Sequence, residues 1–165
     1  MARILIEDII RQLSELEEGS QWFDQSFKNK LDHLSAGVVF VQPVPGVHSV
    51  AEHVAHIIAW RKECVARFHG DKFDLMNTPA DWPSVEVLQG IGWTALKDQL
   101  YQSTQDLIRL FDDVDDTYLK KPFRDTTYNN HYLIEGILQH DIYHLGQIGV
   151  TLKLIDQVSK PPADS

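Results

Sequence analysis

The chain has 165 residues, of which 43% are hydrophobic and 10% aromatic, so it has the size and apolar content of one folded domain. Its formal charge of -9 disfavours binding to nucleic-acid phosphates or to anionic membrane surfaces. The single cysteine excludes an internal disulfide and agrees with a reducing compartment. Glu7 and Asp8 interrupt the apolar start of the chain, and no apolar run approaches the ~20 residues that span a bilayer. We therefore expect a cytoplasmic protein without nucleic-acid or membrane partners.

The first part of the chain predicts two helical segments. The first runs from residue 2 to about residue 17 and ends before Gly19, with a stripe of apolar residues on one face: Ile4, Leu5, Ile9, Leu13 and Leu16. The second is short and runs from about residue 24 or 26 to Leu34, before Gly37, and its inward residues are Phe27, Leu31 and Leu34. An extended connection is predicted over 38–48, because helix cannot continue through Pro43, Pro45 and Gly46.

A long helix is predicted to begin after Ser49 and to end near Gly70. Ser49 with Glu52 three residues later has the pattern of a capping box, in which each side chain accepts a hydrogen bond from the other residue's backbone. The apolar stripe that follows consists of Val50, Val54, Ile57, Ile58, Val65 and Phe68. Beyond the helix, residues 71–83 are polar and contain Pro79, Trp82 and Pro83, which predicts a long surface connection and a candidate lid.

Two further long helices are predicted in the second half of the chain. Helical spacing of leucines and other apolar residues extends from about Trp93 to Phe111, and again from about Leu133 to Leu154. Residues 118–130 between them are interpreted as a loop, and residues 159–165 as a frayed tail. These elements predict an all-α fold, a four-helix bundle with long connections between helices, in a single domain over residues 1–158.

Histidines form the sharpest chemical pattern in the sequence. His140 and His144 are one helical turn apart, which places both imidazoles on one face at a spacing suited to two ligands of one metal ion. His53 and His56 lie on the predicted helix that follows Ser49. Two helices that each offer histidines to the core favour a shared metal site over two unrelated buried pairs. Imidazole is compatible with zinc, nickel, copper or iron, so the pattern does not select the metal.

The spacing does not decide which histidine of the earlier helix faces the pair. His53 lies nearer the centre of the apolar stripe and His56 lies on its flank. Cys64 shares the side of His53 and is interpreted mainly as a small buried residue, with a role as a further soft ligand left as the alternative.

Two segments resemble the DinB-like proteins, also described as damage-inducible or bacillithiol-transferase-related helical bundles. The segments are Ser49-Val-Ala-Glu-His-Val-Ala-His56-Ile-Ile-Ala-Trp60 and Gln139-His140-Asp-Ile-Tyr-His144-Leu-Gly-Gln147-Ile148. In that family a histidine follows the helix cap by seven residues and an HxxxH lies on the last long helix. The resemblance therefore selects His56 over His53. At lower specificity it extends from Trp22 to Trp93 and on to the last helix.

The resemblance implies a frequently dimeric bundle that binds nickel, zinc or a similar divalent metal through His56, His140 and His144. Family members with known activity include thiol-dependent transferases and isomerases that use a low-molecular-weight thiol. The function expected here is a metal-dependent thiol transferase or hydrolase that acts on a small molecule. The alternatives are a non-catalytic protein of a stress response that binds a metal or small ligand, and a structural protein whose histidines never meet.

Four residues are candidates to orient the ligands or assist the reaction: His53, Asp141, Tyr143 and Gln147. Each also has a simpler interpretation, since Asp141 is typical of a solvated charge, Tyr143 of packing and Gln147 of a hydrogen bond within the bundle. Residues 128–131 are candidates to line the mouth of the site, or alternatively a turn and helix cap. Position 141 is Asp, and the HExxH motif of zinc proteases is absent, which disfavours that class.

Overall fold

Four long helices dominate the structure, a computed structural model that describes residues 2–71, 74–76 and 78–159. The described residues form eight helices: α1 (Ile4–Glu18), α2 (Phe27–Leu31), α3 (Ala36–Val39), α4 (Val50–His69), α5 (Val85–Ile91), α6 (Trp93–Arg109), α7 (Asp116–Lys120) and α8 (Asn130–Ser159). Within these ranges there is no β-strand, and the only bridge pairs Pro122 with Asn129. The predicted all-α bundle is confirmed.

The helix α4 lies at the centre of the bundle, packed against α6 and α8. Its apolar side chains enter two buried clusters. One contains Ile57 with residues of α2, α6 and α8, among them Phe27, Leu100 and Ile148. The other contains Cys64 with residues of α1, α6, α7 and α8, among them Ile9, Leu107, Leu119 and Ile134. One face of α4 is therefore held against α8 along most of its length, which fixes the relative position of the histidines on the two helices.

The predicted bounds of α4 are confirmed by its caps. The Ser49 side chain accepts a hydrogen bond from the backbone N–H of Glu52 at 3.2 Å, and the Glu52 carboxylate accepts one from the backbone N–H of Ser49 at 2.7 Å. At the other end Gly70 has φ +102°, a backbone conformation that residues other than glycine rarely adopt. The two caps therefore fix where α4 begins and ends.

The inward face of α1 differs from the prediction at its first turn. Ile4 and Leu5 are 73% and 42% exposed, whereas Ile6 is fully buried together with Ile9, Leu13 and Leu16. The Asp116 carboxylate accepts hydrogen bonds from the backbone N–H groups of Leu5 and Ile6, so α7 caps this turn from outside the helix. Such a contact between distant parts of the chain leaves no local signal in the sequence.

Three short helices were not predicted. Gly37 lies inside α3 rather than ending a helix, α5 precedes the predicted start at Trp93, and α7 occupies the beginning of the segment interpreted as a loop. Each has at most seven residues, too few for a repeating apolar stripe. The last helix, α8, extends past both predicted ends. Residues 160–165, most of the predicted tail, lie outside the described residues.

None of the described helices is both long enough and apolar enough to span a membrane.

Candidate metal centre

Three of the predicted site residues meet at one point between α4 and α8. One ring nitrogen from each of His56, His140 and His144 lies within 4.8 Å of the other two. The closest pair is the Nε2 of His56 and the Nε2 of His140, at 3.1 Å. His56 and His144 are buried, whereas the side chain of His140 is 22% exposed. A small molecule can therefore approach the cluster most easily beside His140.

The orientation of His56 is set by the connection between α4 and α5. Its Nδ1 lies 2.9 Å from the backbone oxygen of Asp81 and 3.0 Å from Oδ1 of the same residue. Both oxygens accept hydrogen bonds, so Nδ1 carries the proton and donates it. The Nε2 of His56 is then left with a lone pair directed toward His140. Asp81 is itself held in place by Trp60, whose Nε1 donates to Oδ1 at 2.8 Å.

The orientation of His140 depends on the next residue, Asp141. The Nδ1 of His140 lies 3.6 Å from Oδ1 of Asp141, too far for a hydrogen bond, and neither buried atom has a hydrogen-bond partner among the described residues. The carboxylate favours a proton on Nδ1 of His140, which leaves the lone pair on Nε2. Two lone pairs would then face each other across 3.1 Å, an arrangement that a cation between them stabilises.

Asp141 is held by Arg61, the most buried charged group of α4. Arg61 is 1% exposed and Asp141 is fully buried, and Arg61 Nε donates to Oδ2 at 2.9 Å. The same guanidinium donates to three groups on α6: the backbone oxygen of Leu100 and the hydroxyls of Ser103 and Thr104. This network connects α4, α6 and α8 directly behind the histidines, so it fixes the carboxylate that faces His140.

The buried imidazoles are neutral near pH 7. Burial is the main cause that lowers the pKa of His144 to about 3, and the neighbouring histidines lower it further. Burial also lowers the pKa of His56, against the opposing effect of its hydrogen bond to Asp81. Neutral imidazole is the form that binds a metal ion, so His56 and His144 can bind a cation without losing protons first.

The four candidates for orienting or assisting roles occupy different positions. Asp141 is buried against His140, as described above. Gln147 forms a side-chain interaction that raises the pKa of His144 against the effect of burial. Tyr143 is 63% exposed, with its ring centroid 5.1 Å from that of His144. His53 is buried near His144, at 5.6 Å between ring centroids, but is not part of the three-histidine cluster.

The predicted lid segment covers one side of the cluster. Trp82 stacks between the rings of His48 and His56, with centroid distances of 3.8 and 3.9 Å. Its ring centroid also lies 5.9 Å from that of His144. Trp82 therefore shields one side of the cluster, as expected of a residue in a segment that covers the site.

The lone cysteine lies away from the three histidines. Cys64 is 1% exposed in the second apolar cluster, and it is not one of the grouped ligand atoms. Burial, reinforced by the charge of Asp141, raises the pKa of its thiol to about 12. At neutral pH this thiol is therefore protonated and unreactive, which agrees with its interpretation as a small buried residue.

The turn before α8 has the capping role left open as an alternative. Asn129 accepts a hydrogen bond from the backbone N–H of Tyr132, and Asn130 donates from its side chain to the backbone of Tyr118. Tyr128 instead borders a cavity that also touches His140.

Arg61 and Asp81 are the site residues that the sequence interpretation missed. A signal existed for Arg61, since it lies four residues after Ile57 and seven after Val54 and therefore continues their buried stripe. A cation at such a position requires a buried partner. Asp81 offered no comparable signal, because a backbone carbonyl supplies its closest contact to His56 and any residue carries one.

A comparison with protein families gives one match, to the family described as the DinB superfamily. The match covers residues 24–148, well over half of the chain, and includes all three clustered histidines. Trp22, which the resemblance included, is outside the matched range and fully exposed. A search of curated proteins finds no significant match.

Proposed function

The chain belongs to the DinB superfamily, and from that premise we propose that it binds one divalent transition metal through His56, His140 and His144 and uses it on a small molecule. The proposed activity is that of a metal-dependent thiol transferase or hydrolase. We favour nickel or zinc because the resemblance to DinB-like proteins implies them; the imidazole ligands by themselves also suit copper and iron.

The observation that carries the proposal is the 3.1 Å distance between the Nε2 atoms of His56 and His140. Two nitrogens bound at ~2.0–2.1 Å with a tetrahedral angle are about 3.3 Å apart, so the pair already has nearly the spacing of two ligands. On the far sides of the rings, the Nδ1 of His56 donates a hydrogen bond to Asp81 and the carboxylate of Asp141 lies 3.6 Å from Nδ1 of His140; both favour a lone pair directed toward this point. His144 adds a third neutral imidazole from the next turn of α8.

A divalent ion bound by neutral imidazoles would keep its full charge. It would therefore lower the pKa of a coordinated water or thiol. The protein's own residues supply orientation and the exclusion of water. Asp81 and Asp141 hold the two facing rings, and Trp82 covers the buried side. The protonated Cys64 offers no thiolate, so a thiol-dependent reaction needs a thiol that enters from solution.

The second candidate function is a non-catalytic protein that binds a metal or small ligand. It is favoured by one observation, that two carboxylates on the helices bearing the histidines are already engaged in structural contacts. Asp141 is fully buried and bound to Arg61, and the carboxylate of Glu52 is engaged in the helix cap. The two candidates make different predictions about bound thiols.

Loading with cobalt(II) and then adding a thiol separates these functions. We expect about one cobalt per chain and, after addition of 2-mercaptoethanol or cysteine, a new thiolate-to-metal charge-transfer band in the near ultraviolet. The chelator-treated protein with the same thiols is the matched control and should give no band. If the loaded protein also gives none with either thiol, the thiol transferase proposal is wrong and the binding function is favoured.

We also propose that the protein is a homodimer joined through α8. This helix carries five large hydrophobic side chains that are between 42% and 65% exposed: Tyr132, Ile142, Tyr143, Val150 and Val158. Exposed aromatic and aliphatic groups on one helix are typical of an interface with a second copy. Sedimentation equilibrium should give about twice the 18.9 kDa mass of the chain. A single-chain mass at micromolar concentration would contradict the dimer.

A further inference from the structure

Two acidic residues lie beside the clustered histidines, and they differ in how their charges are balanced. Asp141 is paired with Arg61, whose Nε donates to the carboxylate at 2.9 Å. Asp81 has no lysine or arginine within ion-pair distance among the described residues, although its side chain is only 15% exposed. Its Oδ1 accepts a hydrogen bond from Trp60 Nε1 and lies 3.0 Å from Nδ1 of His56. The negative charge of Asp81 is therefore left without a cationic partner beside a proposed metal ligand.

A divalent ion at the three-histidine cluster would supply the positive charge that Asp81 lacks. A largely buried carboxylate without a cationic partner is costly, and an ion on Nε2 of His56 lies across the same ring from that carboxylate. A carboxylate on the far side of a metal-binding imidazole orients the ring and raises its basicity. Asp141 is less suited to this role, because Arg61 already balances its charge and its Oδ1 lies 3.6 Å from Nδ1 of His140.

Asp81 also attaches the connection between α4 and α5 to the bundle. Among the described residues, hydrogen bonds from the helices reach residues 78–83 only at Asp81, and their donors, His56 and Trp60, both belong to α4. The next residue, Trp82, is half-buried and stacks on the ring of His56 at 3.9 Å between centroids. This segment therefore contacts His56 twice, at its Nδ1 and on its ring face.

We propose that Asp81 is a positioning residue that links metal binding at His56 to closure of residues 78–83 over the three-histidine cluster. The inference rests on the proposed metal site and concerns a residue that does not itself bind the ion. Coupling between two such events is reciprocal. An ion that strengthens the contact between His56 and Asp81 also holds the segment closed, and the closed segment tightens binding of the ion by the same factor.

Asp81→Asn tests the role of the charge, because asparagine keeps an oxygen that accepts from Trp60. Zinc affinity, measured by competition with a chromophoric chelator, should fall about tenfold or more, as is typical when a partner that orients a metal ligand is lost. The metal-free variant should unfold at a urea concentration equal to or higher than that of wild type, because it no longer holds an unpaired carboxylate. A purely structural role predicts that stability is lost together with affinity.

Two further variants separate this role from a general effect of charge. Asp113→Asn removes one negative charge at an exposed position and is the matched control. Its zinc affinity should stay within about twofold of that of wild type, since an exposed charge is screened by salt. Asp81→Glu retains the carboxylate and should therefore bind zinc more tightly than Asp81→Asn.

Hydrogen exchange measured by mass spectrometry tests the link to the segment. Zinc should slow exchange of the amides of Ala80, Asp81 and Trp82 in wild type, because opening of the segment then also weakens binding of the ion. The protection that zinc adds should be smaller in Asp81→Asn at the same fractional occupancy.

Equal zinc affinity in wild type and Asp81→Asn would overturn the proposal. A metal-free Asp81→Asn that is less stable than wild type would also overturn it, and so would equal exchange of the segment with and without zinc. A wild-type protein that binds no zinc or nickel at all would contradict the proposed metal site itself. The wild-type titration therefore distinguishes failure of the proposed function from failure of the role given to Asp81.

Discussion

Replacing both His140 and His144 with alanine is expected to abolish metal binding, whereas wild type should hold about one divalent ion per chain. The two residues supply two of the three clustered nitrogens, and the remaining His56 offers a single monodentate ligand. One imidazole does not retain an ion against dialysis. Elemental analysis of the dialysed proteins after exposure to zinc or nickel measures the loss directly.

Single variants on α4 test which histidine contributes to the site. His56→Ala should lose the ion, because its Nε2 lies 3.1 Å from that of His140. His53→Ala should keep it, because His53 is buried nearby but lies outside the cluster. His131→Ala, at a partly exposed position, is a control for the loss of any histidine. A His53 variant without metal, or a His56 variant with a full complement, would refute the assignment.

The largest expected effect on stability comes from Arg61→Met. The substitution preserves the apolar stem but leaves the fully buried carboxylate of Asp141 without its cationic partner. It also removes the donor to three groups of α6. Breaking a buried pair from one side costs roughly 3–5 kcal/mol, a large part of the ~5–15 kcal/mol that stabilises a typical domain. Urea unfolding followed by circular dichroism measures the change in the free energy of unfolding.

Arg109→Met is the matched control. Arg109 also donates to a carboxylate, that of Asp106 at 2.9 Å, but its side chain is 63% exposed and the pair is solvated. Exposed pairs of this kind contribute about 0–1 kcal/mol. Combining Arg61→Met with Asp141→Leu should recover most of the lost stability, because no unpaired charge is then left in the core. If Arg61→Met costs no more than Arg109→Met, the network has no structural role.

The long helices were accessible from the sequence because their signals are local. An apolar residue every three or four positions indicates a helix wherever it is long enough, and caps such as Ser49 and Gly70 act within a few residues. The short helices α3, α5 and α7 contain too few positions for this pattern. At α1 the periodicity predicted the buried Ile9, Leu13 and Leu16, but it placed Ile4 and Leu5 inward in place of Ile6. The difference is confined to the first turn, which the distant Asp116 caps.

The candidate site also has one part that follows from local spacing and another that depends on contacts between distant segments. His140 and His144 are neighbours by helical geometry alone, so the sequence by itself determined that the two imidazoles share one face. Periodicity left His53 and His56 open and the resemblance selected His56, but only the packing of α4 against α8 places its Nε2 3.1 Å from that of His140, a residue 84 positions away. Arg61, Asp81 and Asp141 acquire their roles from the same packing. Such contacts depend on how distant segments meet in space, and residue spacing along the chain carries no record of that.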